Sequence, residues 1–361
     1  MRQASGRCAM AVVAHRLAEV DLMATRKPSV GKPVVHLALQ GGGAHGAFTW
    51  GALECLLDQP DLEIGRISGT SAGALNGAAL VSGLRQGGRA GAREKLALLW
   101  QRVAQVGAPL TLLTLPLRKP GLGVWDDAMP LLSPYQTNPL ALEPLRAVLE
   151  SLVDLDALKS EGPGTLFVNA VNVHSGVSRV FGPRDMSIDA ILASACAPLA
   201  FQAAMIEGES YWDGSYAGNP MLWPLYEPSL DADILMIELT PLHRPETPTT
   251  AKNILNRINE IASINGLVSE MRAIDTLNRN APGADIRMHV LSLPDCGIES
   301  AIEPSIKRTV GPVLFESLRS AGYDAADRWL GEHRSKLNVR ASVDITDRYL
   351  AAHTQALPVH R

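Results

Sequence analysis

Residues Val34 to Val81 read VVHLALQGGGAHGAFTWGALECLLDQPDLEIGRISGTSAGALNGAALV. Val34 to Leu39 has the apolar character of a strand buried on both faces of a parallel sheet. The glycine loop Gly41-Gly42-Gly43-Ala44-His45-Gly46 follows, and Ala47 to Leu57 reads as a helix. Ile64 to Ser68 is a second short strand. Ala72 to Gly83 is a second helix, whose small side chains let it pack close to a sheet. Parallel strands joined by a helix usually lie side by side, with their C-terminal ends at one sheet edge. That edge gathers the glycine loop and Gly69-Thr70-Ser71-Ala72-Gly73, which has the G-x-S-x-G form of a nucleophile elbow.

A serine hydroxyl is a poor nucleophile until it is positioned and paired with a base. A sharp strand-to-helix turn exposes Ser71, and the helix beginning at Ala72 points its positive end at developing negative charge. Backbone N–H groups of Gly41, Gly42 and Gly43 can face the hydroxyl as an oxyanion hole. These features predict a serine acyl hydrolase. The rival is a dinucleotide site, since Gly41-x-Gly43-x-x-Gly46 formally fits that fingerprint. A dinucleotide site needs an acid about 20 positions on, at the end of the second strand. Here that end is Gly69-Thr70-Ser71, while Asp61 and Glu63 precede the strand, so the hydrolase reading is preferred and a nucleotide-binding oxidoreductase stays behind it as an alternative that would need NAD(P) to bind.

For the base, His243, His289, His333, His353 and His360 lie downstream, none in a loop motif, and they read better as surface or core histidines. Asp213, in the aromatic-flanked turn Tyr211-Trp212-Asp213-Gly214-Ser215, is the better candidate. An ordinary carboxylate, with a pKa of about 3.9, is a weak base. Desolvation beside Trp212 would strengthen it.

The chain has 361 residues, 46% of them hydrophobic, enough for one large or two ordinary domains. A net charge of −4 and the lack of a dense basic run give no reason to expect nucleic acid. Cys8, Cys55, Cys196 and Cys296 are scattered, which argues against a disulfide scaffold or a zinc site and suits a reducing, cytoplasmic compartment. No transmembrane run is apparent. Residues 1–32 read as a disordered leader, with Met10 and Met23 as alternative starts.

Further along, Arg93 to Val106 reads as a helix. Residues 107–139 form a proline-broken apolar insertion (Leu115, Leu117, Leu122, Trp125) of the kind that caps an active site or covers core. Leu140 to Leu152 is a helix and Thr165 to Val173 a strand. Ser187 to Ala195 is a helix capped by Ser187, and Tyr211 to Pro220 a turn-rich loop. Asp233 to Leu239 and Ile286 to Leu293 are strands, and Thr250 to Leu277 and Glu316 to Leu330 are helices. The alternation predicts a three-layer α/β/α fold with a mostly parallel sheet.

At this point the chain resembles the patatin-like phospholipases, from about Val34 to Pro220. Gly41 to Gly46 is similar to the family's oxyanion loop and Gly69 to Gly73 to its elbow. Ala193-Ser194-Ala195-Cys196-Ala197-Pro198 is similar to its Ala-Ser-x-Ala-x-Pro block. Asp213-Gly214-Ser215 with Asn219-Pro220 is similar to its Asp-Gly-Gly/Ala element and downstream Asn-Pro. The resemblance implies a Ser71–Asp213 dyad without histidine and no cofactor or metal. It departs at His45, where the family more often has Arg or Lys, and at Ser215. His45, Ala72 and Trp212 are expected near the substrate. For 107–139 the resemblance implies a lid or lipid-facing surface, with Arg118 and Lys119 suited to an anionic interface.

The expectation is thus a catalytic domain over 33–240 and a helical extension, 241–361, packed on it. The activity expected is ester hydrolysis on phospholipids or related lipids, at a membrane or lipid-aggregate surface. The alternatives are an esterase or depolymerase of other esters such as polyhydroxyalkanoate, and a non-catalytic lipid-binding regulatory protein. The sequence leaves the oligomeric state open.

Overall fold

The computed structural model describes residues 32–114, 133–137, 140, 142–296 and 311–351. The expected leader, and most of the apolar insertion with Leu117 and Trp125, lie outside the described residues. Val34–Arg361 forms one compact unit.

The strands are β1 (Val34–Leu39), β2 (Glu63–Gly69), β3 (Leu166–Asn172), β4 (Ser178–Phe181), β5 (Ala204–Ile206), β6 (Glu209–Asp213), β7 (Asp231–Glu238) and β8 (Asp285–Ser292). They form one sheet in the order β5-β6-β3-β2-β1-β7-β8, with β4 also paired to β3. The run β3-β2-β1-β7-β8 is parallel. β4, β5 and β6 add an antiparallel flank. The predicted loop from Tyr211 therefore begins as strand, with Asp213 opposite Ala170 of β3. The short polar sequence of β6 carries no apolar run, so only its pairing reveals it.

The main helices are α1 (Gly46–Leu57), α2 (Ala72–Thr114), α3 (Glu143–Leu152), α4 (Ile188–Ser194), α5 (Ala251–Asn280) and α6 (Pro312–His333). The Ser187 hydroxyl caps α4 by accepting from the Ala190 N–H, and Thr250 caps α5 through the Asn253 N–H. A break at Gly87 and Gly88, where Gly88 takes φ 60°, divides α2. The helix then runs past Val106 and through Pro109 to Thr114, into what reads as irregular chain. One proline removes one hydrogen bond from a helix and does not by itself end it.

Strand alternation produces the layers. Val35, Leu37 and Leu39 of β1 and Leu235 and Ile237 of β7 join one core, with α1, α2, α3, α4 and α6. Ala38, Ile234 and Met236 join the other, with Leu267, Met271 and Ile274 of α5. The fold is the expected α/β/α sandwich. Beyond residue 240 the chain is not purely helical, because it also supplies the edge strand β8.

Helices α1 and α6 touch backbone to backbone. A Cβ at Gly51 would sit 1.8 Å from the Arg319 carbonyl oxygen, and one at Gly322 would sit 2.0 Å from that of Phe48. In an ordinary helix interior, Gly to Ala stabilises by roughly 1 kcal/mol. At this crossing Gly51→Ala and Gly322→Ala are each expected to destabilise instead, lowering the urea midpoint, because the helices must separate. A raised midpoint in either variant would refute the close crossing.

Candidate active site

The C-terminal ends of β1, β2 and β7 open into a cleft of about 480 Å³ lined by Gly41, Gly42, Gly43, Ser71, Asp213 and Thr240, among others. Strand order changes direction at β1, with β2 on one side and β7 on the other, and α/β sheets place ligands at such switch points.

Ser71 sits at the turn from β2 into α2 with φ 54°, a conformation a non-glycine residue adopts only where its surroundings hold it. Those surroundings are specific. The Ser71 N–H donates to the Ser194 hydroxyl at 2.9 Å, and the Gly73 N–H donates to the Thr70 carbonyl at 2.8 Å. A Cβ at Gly73 would lie 2.1 Å from the Leu39 carbonyl oxygen, so the elbow can press against the end of β1 only with glycine there. A Cβ at Gly41 would lie 2.7 Å from that of Ser71, which places the glycine loop directly against the serine.

Asp213 ends β6, 5% exposed, and lines the same cleft as Ser71. The Ser215 N–H donates to Oδ1 at 2.9 Å. Burial pushes the Asp213 pKa above 3.8, opposed by its polar neighbours Ser215 and Ser71. No histidine lines the cleft among the described residues. His289 is instead fully buried against Asp233, with Nε2 and Oδ1 2.7 Å apart, and so is a core histidine.

The glycine loop divides its labour. The Gly41 N–H donates to Asn219 Oδ1 at 2.6 Å, so this residue, expected to be an oxyanion donor, is already engaged. Among the described residues the N–H groups of Gly42, Gly43 and Ala72 have no protein acceptor. The side chains of the other expected neighbours turn away. His45 closes the tight turn Gly43–His45 into α1 and is 1% exposed, outside the cleft lining. Ala72 is buried toward Gly46, where an added Cβ would lie 2.7 Å from it. Trp212 precedes Asp213 on a strand, so its side chain points to the other face and packs on the core. The desolvation of Asp213 therefore comes from its own burial, not from a Trp212 wall.

Three positions that motif spacing did not single out hold the parts together. Asn169 of β3 accepts from the Thr70 hydroxyl at 2.5 Å and donates to the Gly214 and Gly218 carbonyls at 3.1 and 3.0 Å. It thus ties the elbow to the loop after Asp213. Gln40 donates to the Asn219 carbonyl at 3.0 Å and accepts from the N–H groups of Leu239 and Thr240. Ser194, quoted above only as part of a motif, holds the elbow N–H. A buried polar residue at the end of, or within, an apolar strand is the signal Gln40 and Asn169 offered.

Asn219 completes this frame, donating to the Gly41 carbonyl at 3.1 Å and to the Ser263 hydroxyl at 2.9 Å. Asn219→Ala is expected to cost roughly 1–3 kcal/mol in urea unfolding, because it strands buried partners. It should also lower kcat, and Asn219→Asp, which keeps the acceptor for Gly41, should lose less. Equal stability of the alanine variant and the wild type would show that the clamp is not needed.

A buried carboxylate and an elbow serine in one cleft, with backbone donors alongside, are the parts an acyl hydrolase uses. The patatin-like phospholipase family model matches residues 37–226. The chain belongs to that family, and membership supports lipid hydrolysis as its class of activity. Among solved structures it is similar to VipD from Legionella pneumophila at 15% identity, covering 94% of this chain and 80% of that one, with a TM-score of 0.40. It is also similar to full-length ExoU from Pseudomonas aeruginosa, determined in complex with SpcU. That match has 19% identity, covers 83% of this chain and 53% of that one, and has a TM-score of 0.31. No curated protein gives a significant match.

Proposed function

We propose that this protein hydrolyses carboxylic esters of lipids through a Ser71–Asp213 dyad. The observation that carries the proposal is that Ser71, on its strained elbow, and the buried carboxylate of Asp213 line one cleft. Asp213 takes the hydroxyl proton as Ser71 Oγ attacks the ester carbonyl. The N–H groups of Gly42 and Gly43, with that of Ala72, receive the oxyanion. Collapse of the tetrahedral intermediate breaks the acyl–oxygen bond, and protonated Asp213 returns its proton to the departing alcohol. Water then attacks the acyl-serine with Asp213 again as base, releasing the acid and restoring Ser71.

Action at a lipid surface is supported by exposed apolar side chains at the cleft and on the opposite face of α5. Leu199 lines it and is 44% exposed. Ile254, Ile258 and Ile261 are 42%, 54% and 44% exposed and follow helical spacing along α5. Among the described residues no helix is long and apolar enough to cross a membrane. The exposed apolar side chains support peripheral attachment to a lipid surface.

The test is a panel of phospholipids, triglycerides, p-nitrophenyl esters and polyhydroxybutyrate, assayed with wild type and Ser71→Ala side by side. Turnover by wild type and none by the variant supports the dyad. Turnover confined to polyhydroxybutyrate would make the protein a depolymerase. Lipid binding without turnover or fluorophosphonate labelling would make it a binding protein.

A further inference from the structure

The cleft around Ser71 has walls of two chemistries. Ala195, Ala197, Leu199, Ala200 and Phe201 give it an apolar stretch. Asn256, Asn259, Glu260 and Ser263 give it a polar one, and their spacing places them on one face of α5. The family match ends at residue 226, so this polar face comes from chain beyond the family's own pattern.

Two members of the face are already committed inside the protein. Ser263 accepts from Asn219, and the Glu260 carboxylate accepts from Arg244 at 2.8 and 3.2 Å and from Arg257 at 3.1 Å. Asn256 differs. Its Nδ2 is buried at the cleft and has no hydrogen-bond partner. A buried donor left unpaired is costly, and the residue that bears one at a ligand cleft is satisfied by the ligand. Rotated by half a turn, the same amide offers its carbonyl to a hydroxyl instead. Either way the complementary group is an oxygen.

We infer that Asn256 is a specificity-determining residue for the alcohol side of the ester, with the acyl chain along residues 195–201 and a hydrogen-bonding alcohol portion against Asn256 on α5. The inference rests on the hydrolase proposal and deepens it by naming the residue that selects the leaving group.

The experiment compares kcat/KM on a diacyl phospholipid and on a p-nitrophenyl ester of the same acyl chain, both in the same mixed micelles. The enzymes are wild type, Asn256→Leu, Asn256→Gln and Asn259→Leu. The ratio of phospholipid to p-nitrophenyl activity is expected to fall about tenfold in Asn256→Leu, equivalent to about 1.4 kcal/mol. The fall should lie mainly in KM, and Asn256→Gln should recover part of it. A parallel loss on both substrates would assign Asn256 a structural role and overturn the inference, as would an unchanged ratio. If Asn256→Leu does not fold, Asn259→Leu on the same face carries the test with the same two readouts. Fluorophosphonate labelling of the wild type separates the two levels. Labelling with an unchanged ratio overturns only the selection by Asn256, whereas no labelling and no turnover overturns the hydrolase proposal and this inference with it.

Discussion

Ser71→Ala is expected to abolish ester hydrolysis and fluorophosphonate labelling while leaving the protein folded. The loss should be on the order of 10⁴-fold or more, since removing a nucleophile leaves only binding and oxyanion stabilisation to act. The substitution is small where it matters for folding. The Ser71 N–H that donates to Ser194 is backbone and survives the change. What disappears is the hydroxyl that shares the cleft with Asp213. Urea unfolding of the variant is the control, since activity lost together with the fold would say nothing about chemistry. Residual turnover within tenfold of wild type would mean that another group performs the attack.

Asp213→Asn is the second large effect, and it separates activity from stability. Removing the general base should cost roughly 10³-fold in kcat, within the usual range for such groups. The same change should raise stability at neutral pH. Burial holds the Asp213 pKa above 3.8 in the folded protein. Between that ordinary value and the raised one, the folded state binds more protons than the unfolded chain, so stability falls as pH rises through the window. Above it the buried charge weighs fully on the wild type, whereas the amide of the variant never carries a charge. Below pH about 3.8 both states are protonated and the advantage of the variant vanishes. The acid limb of wild-type activity should likewise lie above the ordinary carboxylate pKa, because only the ionised group can take the serine proton. A variant less stable than wild type at neutral pH would show that the hydrogen bonds to Asp213 outweigh its desolvation.

What the sequence made legible was chemistry carried by local pattern. The elbow at Ser71 and the glycine loop announce themselves because a strand-to-helix turn needs small residues at fixed offsets. The approach of Gly73 to Leu39 gives the physical reason. Asp213 was legible as a carboxylate in a distinctive local setting. The frame around these groups was not, because it depends on long-range contacts. Asn169 acts through Thr70 and Gly218, which are far from it in sequence, and its own strand reads as merely apolar. His45 and Trp212 show the opposite limit. Proximity in sequence to a catalytic group suggested proximity to substrate, but a tight turn and the two-residue period of a strand aim both side chains into the protein. The cleft-lining face of α5 was hidden for a third reason: its helical pattern is visible, but the register that turns Asn256 inward is set by packing against β7 and β8.

The hydrogen bond from Asn219 to Ser263 also bears on time. Gly41 is held by Asn219, and Asn219 by Ser263, while β1 lies between β2 and β7 in the sheet. A chain emerging from the ribosome N-terminus first presents Ser71 early. Its central strand must then wait for β7, and its oxyanion loop for a helix that comes later still. Such distant pairings form slowly, and they leave the edge of β1 uncovered in the interval. Until residue 263 has docked, the nascent protein carries Ser71 without a finished glycine loop beside it. On the proposed mechanism, ester cleavage is withheld until most of the polypeptide has been made.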